Sequence, residues 1–237
     1  RNPRPELWPR CGTGVREQGM IPRALASAED GPPSEVRPKV VNAKLSERLW
    51  GLDWSRHLPW TFAGVAVEEG RSADALRFVA EHYRNIFGDG GDRFLCEEMT
   101  VAKRRFWEEM DIFLFAFEGR TVGICAGHPS DWSTYYIRTF AILPEFRERG
   151  FAASFARASC LALADAGVSR YEADCSPANT AMMRLFSSDG FLVTATMNSE
   201  RWGTMLRFTK FLREDAATAY RQQFIYVPAF GRDAERK

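Results

Sequence analysis

The segment ILPEFRERGFAA (Ile142–Ala153) joins an apolar strand predicted at Thr134–Leu143 to a helix predicted at Phe151–Asp165. Gly150 occupies the turn, and two alanines follow in the first helical turn. Small residues let a ligand approach the backbone closely. The first amides of a helix have no intrahelical partner and lie at the positive end of its dipole. The segment therefore predicts a binding site for an anion, above all for phosphate.

Two arginines, Arg147 and Arg149, add positive charge beside this helix start. A strand, a turn with one glycine and a helix also occur in α/β proteins that bind no phosphate. The spacing alone therefore leaves an ordinary strand–helix connection open as the alternative.

The same segment carries a recognisable pattern. Pro144-x-x-Arg147-x-x-Gly150-x-Ala152 resembles Arg/Gln-x-x-Gly-x-Gly/Ala, the acyl-CoA signature of the GNAT acetyltransferase superfamily. Further along the chain, NTAMMRLFSSDGF (Asn179–Phe191) resembles the later motif of that superfamily, Asn-x-x-Ala-x-x-Leu-Tyr-x-x-x-Gly-Phe. Two motifs in the right order are more specific than either alone.

The resemblance implies how a coenzyme A thioester is held. In the superfamily the loop amides bind the pyrophosphate of coenzyme A, and the preceding strand pairs with the pantetheine arm as an added strand does. The implied co-substrate is acetyl-CoA or malonyl-CoA, with no metal. The implied binding residues are Ile142, Leu143, Arg147, Arg149, Gly150, Phe151, Ala152, Ala153, Asn179 and Phe186.

The order of the predicted elements agrees with this resemblance. Apolar periodicity predicts a helix at Ser72–Phe87, and a hairpin is predicted to turn at Glu118–Arg120. The implied fold is the α/β GNAT fold, with a mixed, mostly antiparallel central sheet and helices on both faces. Its middle strands, here Thr134–Leu143 and Arg170–Cys175, are expected to splay apart.

Three regions are predicted along the chain. Residues 1–62 are rich in proline and are expected to form an arm or linker, with a short helix at Ala43–Leu52. Residues 63–212 form the acyl-CoA-binding domain, whose first strand is predicted at Ala63–Glu69, and residues 213–237 form a C-terminal tail. Because the chain starts without methionine, it is also compatible with a domain taken from a longer polypeptide.

The amino-acid composition limits the classes of partner expected for this protein. The formal net charge of +1 gives no bias toward nucleic acid or membrane, and no apolar run reaches the length of a membrane span. The five cysteines are scattered and form no Cys-x-x-Cys pair, which favours a reduced, cytoplasmic protein without a cysteine-based zinc site. The expected partners are an acyl-CoA and an acceptor; the oligomeric state is left open.

Candidate catalytic residues are few. Asp174 lies five residues before Asn179, where some protein-amine acetyltransferases of the superfamily carry their proposed base, and a salt-bridged carboxylate is the alternative. Many of these enzymes use a Glu on the earlier strand, but here that strand has no acid and offers Thr139. His128, at the end of the strand before it, is the histidine expected near the acceptor.

The general acid is less clear from the sequence. The superfamily usually supplies a Tyr at the position of Phe186, and a phenyl ring cannot donate a proton. The remaining sources are Ser188, Tyr135, Tyr136 or water, unless the thiolate leaves unprotonated.

The implied function is transfer of an acyl group, most often acetyl, from CoA to an amine or a carrier thiol. One alternative is a GNAT-like domain of a polyketide synthase loading module, which decarboxylates malonyl-CoA and acts with an acyl carrier protein; Thr139 would then orient the acyl carboxylate. A second alternative is a non-catalytic module that binds acyl-CoA.

Overall fold

The computed structural model describes residues 43–87, 100–199 and 202–224, and these residues form helices α1–α6 and strands β1–β8. The helices are α1 (Leu45–Trp50), α2 (Ser72–Phe87), α3 (Val101–Glu108), α4 (Phe151–Asp165), α5 (Thr180–Ser188) and α6 (Glu214–Phe224). The strands are β1 (Trp60–Phe62), β2 (Val65–Glu69), β3 (Asp111–Phe117), β4 (Arg120–Asp131), β5 (Thr134–Ile142), β6 (Arg170–Cys175), β7 (Leu192–Ser199) and β8 (Gly203–Phe211). Short 3₁₀ turns lie at Trp54–Arg56 and Pro144–Phe146.

The strands form one sheet in the order β1-β2-β3-β4-β5-β6-β8-β7. Neighbouring strands run antiparallel except for β5 and β6, which pair in parallel. A parallel pair needs a long crossover connection, and α4 supplies it. The mixed, mostly antiparallel sheet expected from the sequence is therefore confirmed.

Local sequence patterns account for several elements. The helix predicted at Ser72–Phe87 is α2, with the same bounds and a kink at His82, whose φ of −112° and ψ of 18° are not helical. The predicted hairpin joins β3 to β4 through Glu118 and Gly119, which both adopt positive φ angles of 48° and 76°. Such angles at both central residues match the right-handed twist of the flanking strands. No described helix is both long and apolar enough to cross a membrane.

The beginning of the sheet differs from the prediction. The predicted strand Ala63–Glu69 starts two residues later, because Ala63 and Gly64 have positive φ angles and form the turn between β1 and β2. The helix predicted at Ala43–Leu52 is the shorter α1, and the side chain of Trp54 is buried against Phe113. Residues 43–62 of the predicted arm thus contribute to the core of the domain. Residues 1–42 and 225–237 lie outside the described residues, so the three-region division stays a prediction.

One buried carboxylate connects α1 to the sheet. Asp111 is 1% exposed and accepts a hydrogen bond of 2.7 Å from the Ser46 hydroxyl. Burial raises the pKa of Asp111 from 3.8 to about 6, although the bond from Ser46 and the nearby charge of Lys44 oppose this rise. The ionised form is therefore less stable in the folded protein than in water.

We expect Asp111→Asn to stabilise the protein at pH 8. Because the folded-state pKa is raised, the penalty is absent below pH 4, develops as pH rises through 4 to 6, and is complete above 6. The substitution should increase the free energy of unfolding at pH 8 by about 1–2 kcal/mol and change it little at pH 4. Urea unfolding at the two pH values measures this, with the exposed Asp165→Asn as control. Equal or lower stability at pH 8 would show that the carboxylate's hydrogen bonds outweigh its desolvation.

Candidate active site

A gap opens between the two parallel strands. β5 and β6 pair over four residues, from Thr134 opposite Arg170 to Ile137 opposite Ala173. Both strands continue beyond this point, β5 as far as Ile142. The middle strands therefore separate as the sequence predicted.

A β-bulge lies where the strands separate. Gly127 of β4 faces Ile137, and the next residue, Ala126, faces Thr139. Arg138 is thus an extra residue in β5, without an opposite partner in β4. A bulge bends its strand and increases the local twist. The bend explains why β5 leaves β6 directly after Ile137.

One side of the gap is an apolar cleft of about 310 Å³, a volume that includes space open to solvent. Phe186 lies in its wall, is 5% exposed, and packs against Phe191 and Phe208. The Tyr171 hydroxyl, which is bonded to Ser159, is the one polar side-chain group in the lining. The lining residues are Ile137, Phe140, Ala152, Phe155, Ala156, Tyr171, Ala173, Met182, Leu185 and Phe186.

The predicted anion loop leads into α4 beside this cleft. Gly150 is the residue before the helix and has a left-handed φ of 81°, and no side chain caps the helix. No described residue accepts a hydrogen bond from the amides of Phe151, Ala152 or Ala153. These amides are therefore unpaired within the described chain at the positive end of a 15-residue helix.

The two arginines of the loop bond to backbone carbonyls. Arg147 donates from Nε to the Ile142 carbonyl at 2.9 Å and from Nη2 to the Asn85 carbonyl at 3.0 Å. Arg149 donates to the Glu145 carbonyl at 2.8 Å. Both arginines are exposed. They surround the helix start with positive charge while holding the loop together.

The backbone groups of Ile142 and Leu143 point in opposite directions. The Leu143 amide donates to the Val122 carbonyl of the neighbouring chain segment. Ile142, opposite Gly123, then belongs to a non-hydrogen-bonded pair, so its amide and carbonyl point away from β4 and toward the gap. The Ile142 carbonyl accepts from Arg147, so the Ile142 amide is the backbone group of this pair that is left facing the gap.

Asn179 begins α5 as its N-cap, and its side chain accepts a hydrogen bond from the Met182 amide at 3.2 Å. The residue is exposed. Asn179 therefore caps α5.

Asp174 lies on the opposite face of the sheet from the cleft, because side chains alternate along β6. It is the first β6 residue beyond the last β5–β6 pair. Its carboxylate accepts hydrogen bonds from Arg207 Nε and Nη2 at 2.9 and 3.1 Å and from the Tyr136 hydroxyl at 2.9 Å. Asp174 is thus the salt-bridged carboxylate that the sequence left open.

His128 lies on this second face, with its ring 5.7 Å from the ring of Tyr136 and 5.3 Å from that of Phe106. Its Nδ1 lies 2.8 Å from the Pro129 carbonyl. A carbonyl oxygen only accepts, so Nδ1 carries the proton and Nε2 of the neutral ring has a free lone pair. Burial, with a smaller contribution from Arg138, lowers the pKa of His128 below its ordinary value of 6.5.

The structure brings His128, Tyr136 and Asp174 together on one face, and Thr139 follows the bulge beside them. Tyr135 is fully buried, which removes it as a proton donor to a ligand. The described residues include no group of three or more His, Cys, Asp or Glu side chains suited to a metal ion.

Sequence reasoning missed Arg207, which also lies 3.5 Å from Glu172. Arg207 is directly opposite Asp174 in the β6–β8 ladder, and opposite charges in that position attract. The pair becomes visible once the register of these two strands is known.

Comparisons with known proteins agree with this geometry. Residues 76–191 match the model of the Acetyltransferase (GNAT) family. Among curated proteins, none shows significant sequence similarity to this chain.

Several solved structures share the fold. The putative acetyltransferase yncA from Salmonella typhimurium, determined with its cofactor acetyl-CoA, is 16% identical over 64% of this chain and 95% of its own, with a TM-score of 0.50. An N-acetyltransferase from Staphylococcus aureus Mu50 is 15% identical over 64% of this chain and 100% of its own, with a TM-score of 0.51. The ribosomal-protein-S18-alanine N-acetyltransferase from Escherichia coli is 14% identical over 62% and 94%, with a TM-score of 0.50. These similarities establish the predicted GNAT fold.

We expect Gly150→Asp to lower the affinity for coenzyme A by more than about tenfold, because it adds a negative charge at the helix start and strains a left-handed backbone. Gly167 supplies a matched control. It lies just beyond the other end of α4, has a φ of 80°, and like Gly150 has nothing within 4 Å of an added Cβ. Gly167→Asp should lose similar stability and keep its affinity. Isothermal titration with coenzyme A measures both; normal affinity of Gly150→Asp would remove the loop from the binding site.

Proposed function

We propose that the protein is an acyl-CoA-dependent acyltransferase of the GNAT acetyltransferase family, whose model matches residues 76–191. It transfers an acyl group, acetyl in the simplest case, to an amine or to a carrier thiol. The observation that carries the proposal is the end of β5–β6 pairing at the bulge, which opens an apolar cleft beside the unpaired first turn of α4.

The proposed binding mode follows from the chemistry of these surfaces. The pyrophosphate accepts hydrogen bonds from the amides that follow Gly150, where the helix dipole favours negative charge. The pantetheine arm lies in the gap, with Phe186 in the apolar wall and the backbone amide of Ile142 as its hydrogen-bond donor. Thr139, next to the bulge, is the hydroxyl proposed to donate to the thioester oxygen.

Between the two candidate bases, the contacts favour His128. Asp174 already accepts three hydrogen bonds, two of them from the Arg207 guanidinium, so both of its carboxylate oxygens are occupied by protein donors. His128 has a lowered pKa and a free Nε2 lone pair, so it is neutral at pH 7 and able to accept one. We assign the role of general base to His128. Asp174 then has a structural role, as the carboxylate that holds Tyr136 and Arg207 in place.

The leaving thiolate needs little help from the protein. An alkyl thiol has a pKa of about 8.5, so its thiolate is a weak base at neutral pH. Desolvation, with the charge of Asp174, raises the pKa of Tyr136 to about 12, which makes its hydroxyl a poor acid. Ser188, at the end of α5, donates instead to the Leu185 carbonyl. We therefore assign protonation of the thiolate to solvent.

The apolar cleft favours acetyl over malonyl. Its lining offers no charged side chain to a malonyl carboxylate. Decarboxylation of malonyl-CoA with an acyl carrier protein as partner stays the alternative taken from the sequence. A non-catalytic acyl-CoA module is the other, and turnover of any thioester excludes it.

We expect His128→Gln to lower kcat by about 100-fold with little change in coenzyme A affinity. A base works when deprotonated, so the wild-type rate should fall as pH drops through a value below 6.5, and the variant should lose this fall. His57→Gln is the control, because His57 contacts Trp54 away from this face. Asp174→Asn should lower the rate less than His128→Gln, and the reverse order would return the base to Asp174. Initial rates against pH with an amine acceptor measure these effects.

Mass spectrometry of the protein with malonyl-CoA alone tests the alternative. We expect malonyl-CoA to stay intact and acetyl-CoA to be consumed when an acceptor is added. Formation of acetyl-CoA from malonyl-CoA without an acceptor would contradict the acyltransferase proposal and support decarboxylation. Acyl carrier proteins would then be the acceptors to screen.

A further inference from the structure

Arg147 joins two parts of the chain that lie 62 residues apart. Its Nε donates to the Ile142 carbonyl at the end of β5, and its Nη2 donates to the Asn85 carbonyl in the last turn of α2. A guanidinium is planar and presents its donors in a fixed fork. Two such bonds therefore set the position of the strand end relative to the helix end.

The Asn85 carbonyl is a favourable acceptor for the Arg147 guanidinium because of its place at the end of α2. Within the described residues α2 extends to Phe87, so the Asn85 carbonyl is among the last four of this stretch and has no helical donor there. A cation there also complements the helix dipole. Arg147 thus acts as a capping group for α2 supplied by a distant loop.

The Ile142 carbonyl belongs to the edge that faces the gap, because Ile142 forms a non-hydrogen-bonded pair with Gly123. A guanidinium bonded to this carbonyl fixes the orientation of the last peptide of β5. The amide of the same peptide is that of Leu143, which donates to the Val122 carbonyl, so the last peptide of β5 is held from both sides.

The loop that follows is strained and has to be held. Glu148 has a φ of 61° and Gly150 a φ of 81°, one on each side of Arg149. A left-handed conformation at a residue with a side chain is disfavoured by steric crowding, and it persists only where surrounding contacts impose it. Arg147 immediately precedes this pair and supplies such contacts at the entry to the loop.

We propose that Arg147 is a positioning residue of the acyl-CoA site, which fixes the β5 edge and the anion loop against α2, rather than a ligand of the pyrophosphate. This inference rests on the proposed function and assigns Arg147 a different role from Arg149. Arg149 bonds within the loop, to Glu145, and lies 4.9 Å from the centre of the Phe146 ring. Its contacts leave α2 untouched.

The two roles differ in which thioester they affect. Acetyl-CoA carries the pyrophosphate, whereas acetyl-pantetheine lacks it and retains the arm that lies along β5. Arg147→Ala should lower kcat/KM by about tenfold for both thioesters, the loss expected for a charge-assisted hydrogen bond. Arg147→Lys should recover part of it, since an ammonium can donate to one carbonyl. Arg149→Ala should lower kcat/KM for acetyl-CoA alone.

Amide hydrogen exchange gives a second readout that needs no substrate. Arg147→Ala should speed exchange in the last turn of α2 by about tenfold, and Arg149→Ala should leave it unchanged. Circular dichroism confirms that each variant is folded. A loss confined to acetyl-CoA, with unchanged exchange in α2, would make Arg147 a phosphate ligand and overturn the proposal. If the wild-type protein neither binds nor turns over acetyl-CoA, the proposed function fails, and the exchange result still decides whether Arg147 holds α2.

Discussion

The extra residue at Arg138 is the constraint on which the site depends. Two fully paired strands leave no space for a ligand between them, because the backbone N–H and C=O groups that face each other are hydrogen-bonded. The bulge bends β5 away from β6 after four residue pairs, and the backbone edge beyond Ile137 becomes available to something other than protein. Without the bend, the parallel pairing would continue and close the cleft.

The two faces of the sheet at this gap have opposite chemistry. The α4 and α5 side is apolar, and Phe140, Phe155, Tyr171 and Phe186 contribute its aromatic rings. The other side holds Glu172 and Asp174, both paired with Arg207. Such a pair is costly to break, since removing one partner leaves the other charge poorly compensated. The charged face is therefore a rigid surface beside His128, and in the proposed binding mode the apolar face excludes water from the arm of the thioester.

Sequence patterns predicted much of this architecture, because several features are local. The α4 start depends on Gly150 and its small neighbours, and the α2 pattern repeats at helical spacing. The motif at Asn179–Phe191 lies within the residues that match the GNAT family model. The role of each site residue remains a prediction, since the contacts describe geometry and the chemistry has to be measured.

The remaining features depend on long-range register. The bulge at Arg138 can be recognised only once the register between β4 and β5 is known. The pairing of Asp174 with Arg207 likewise requires β8 to lie beside β6. Neither is visible in a single stretch of sequence. The Arg147 bond to Asn85 likewise requires the end of α2 to approach the loop. β1 has three residues, too few for an alternating pattern to stand out.

The most direct test of the account is hydrogen exchange of the wild-type protein with and without saturating acetyl-CoA. The account predicts slower exchange at the β5 edge around Phe140–Ile142 and at the first turn of α4, with little change in β1 or β2. Protection of the β5 edge and the α4 start together would locate the thioester in the gap that the bulge opens. Binding of acetyl-CoA without protection of either segment would contradict the account, because the thioester would then lie elsewhere on the protein.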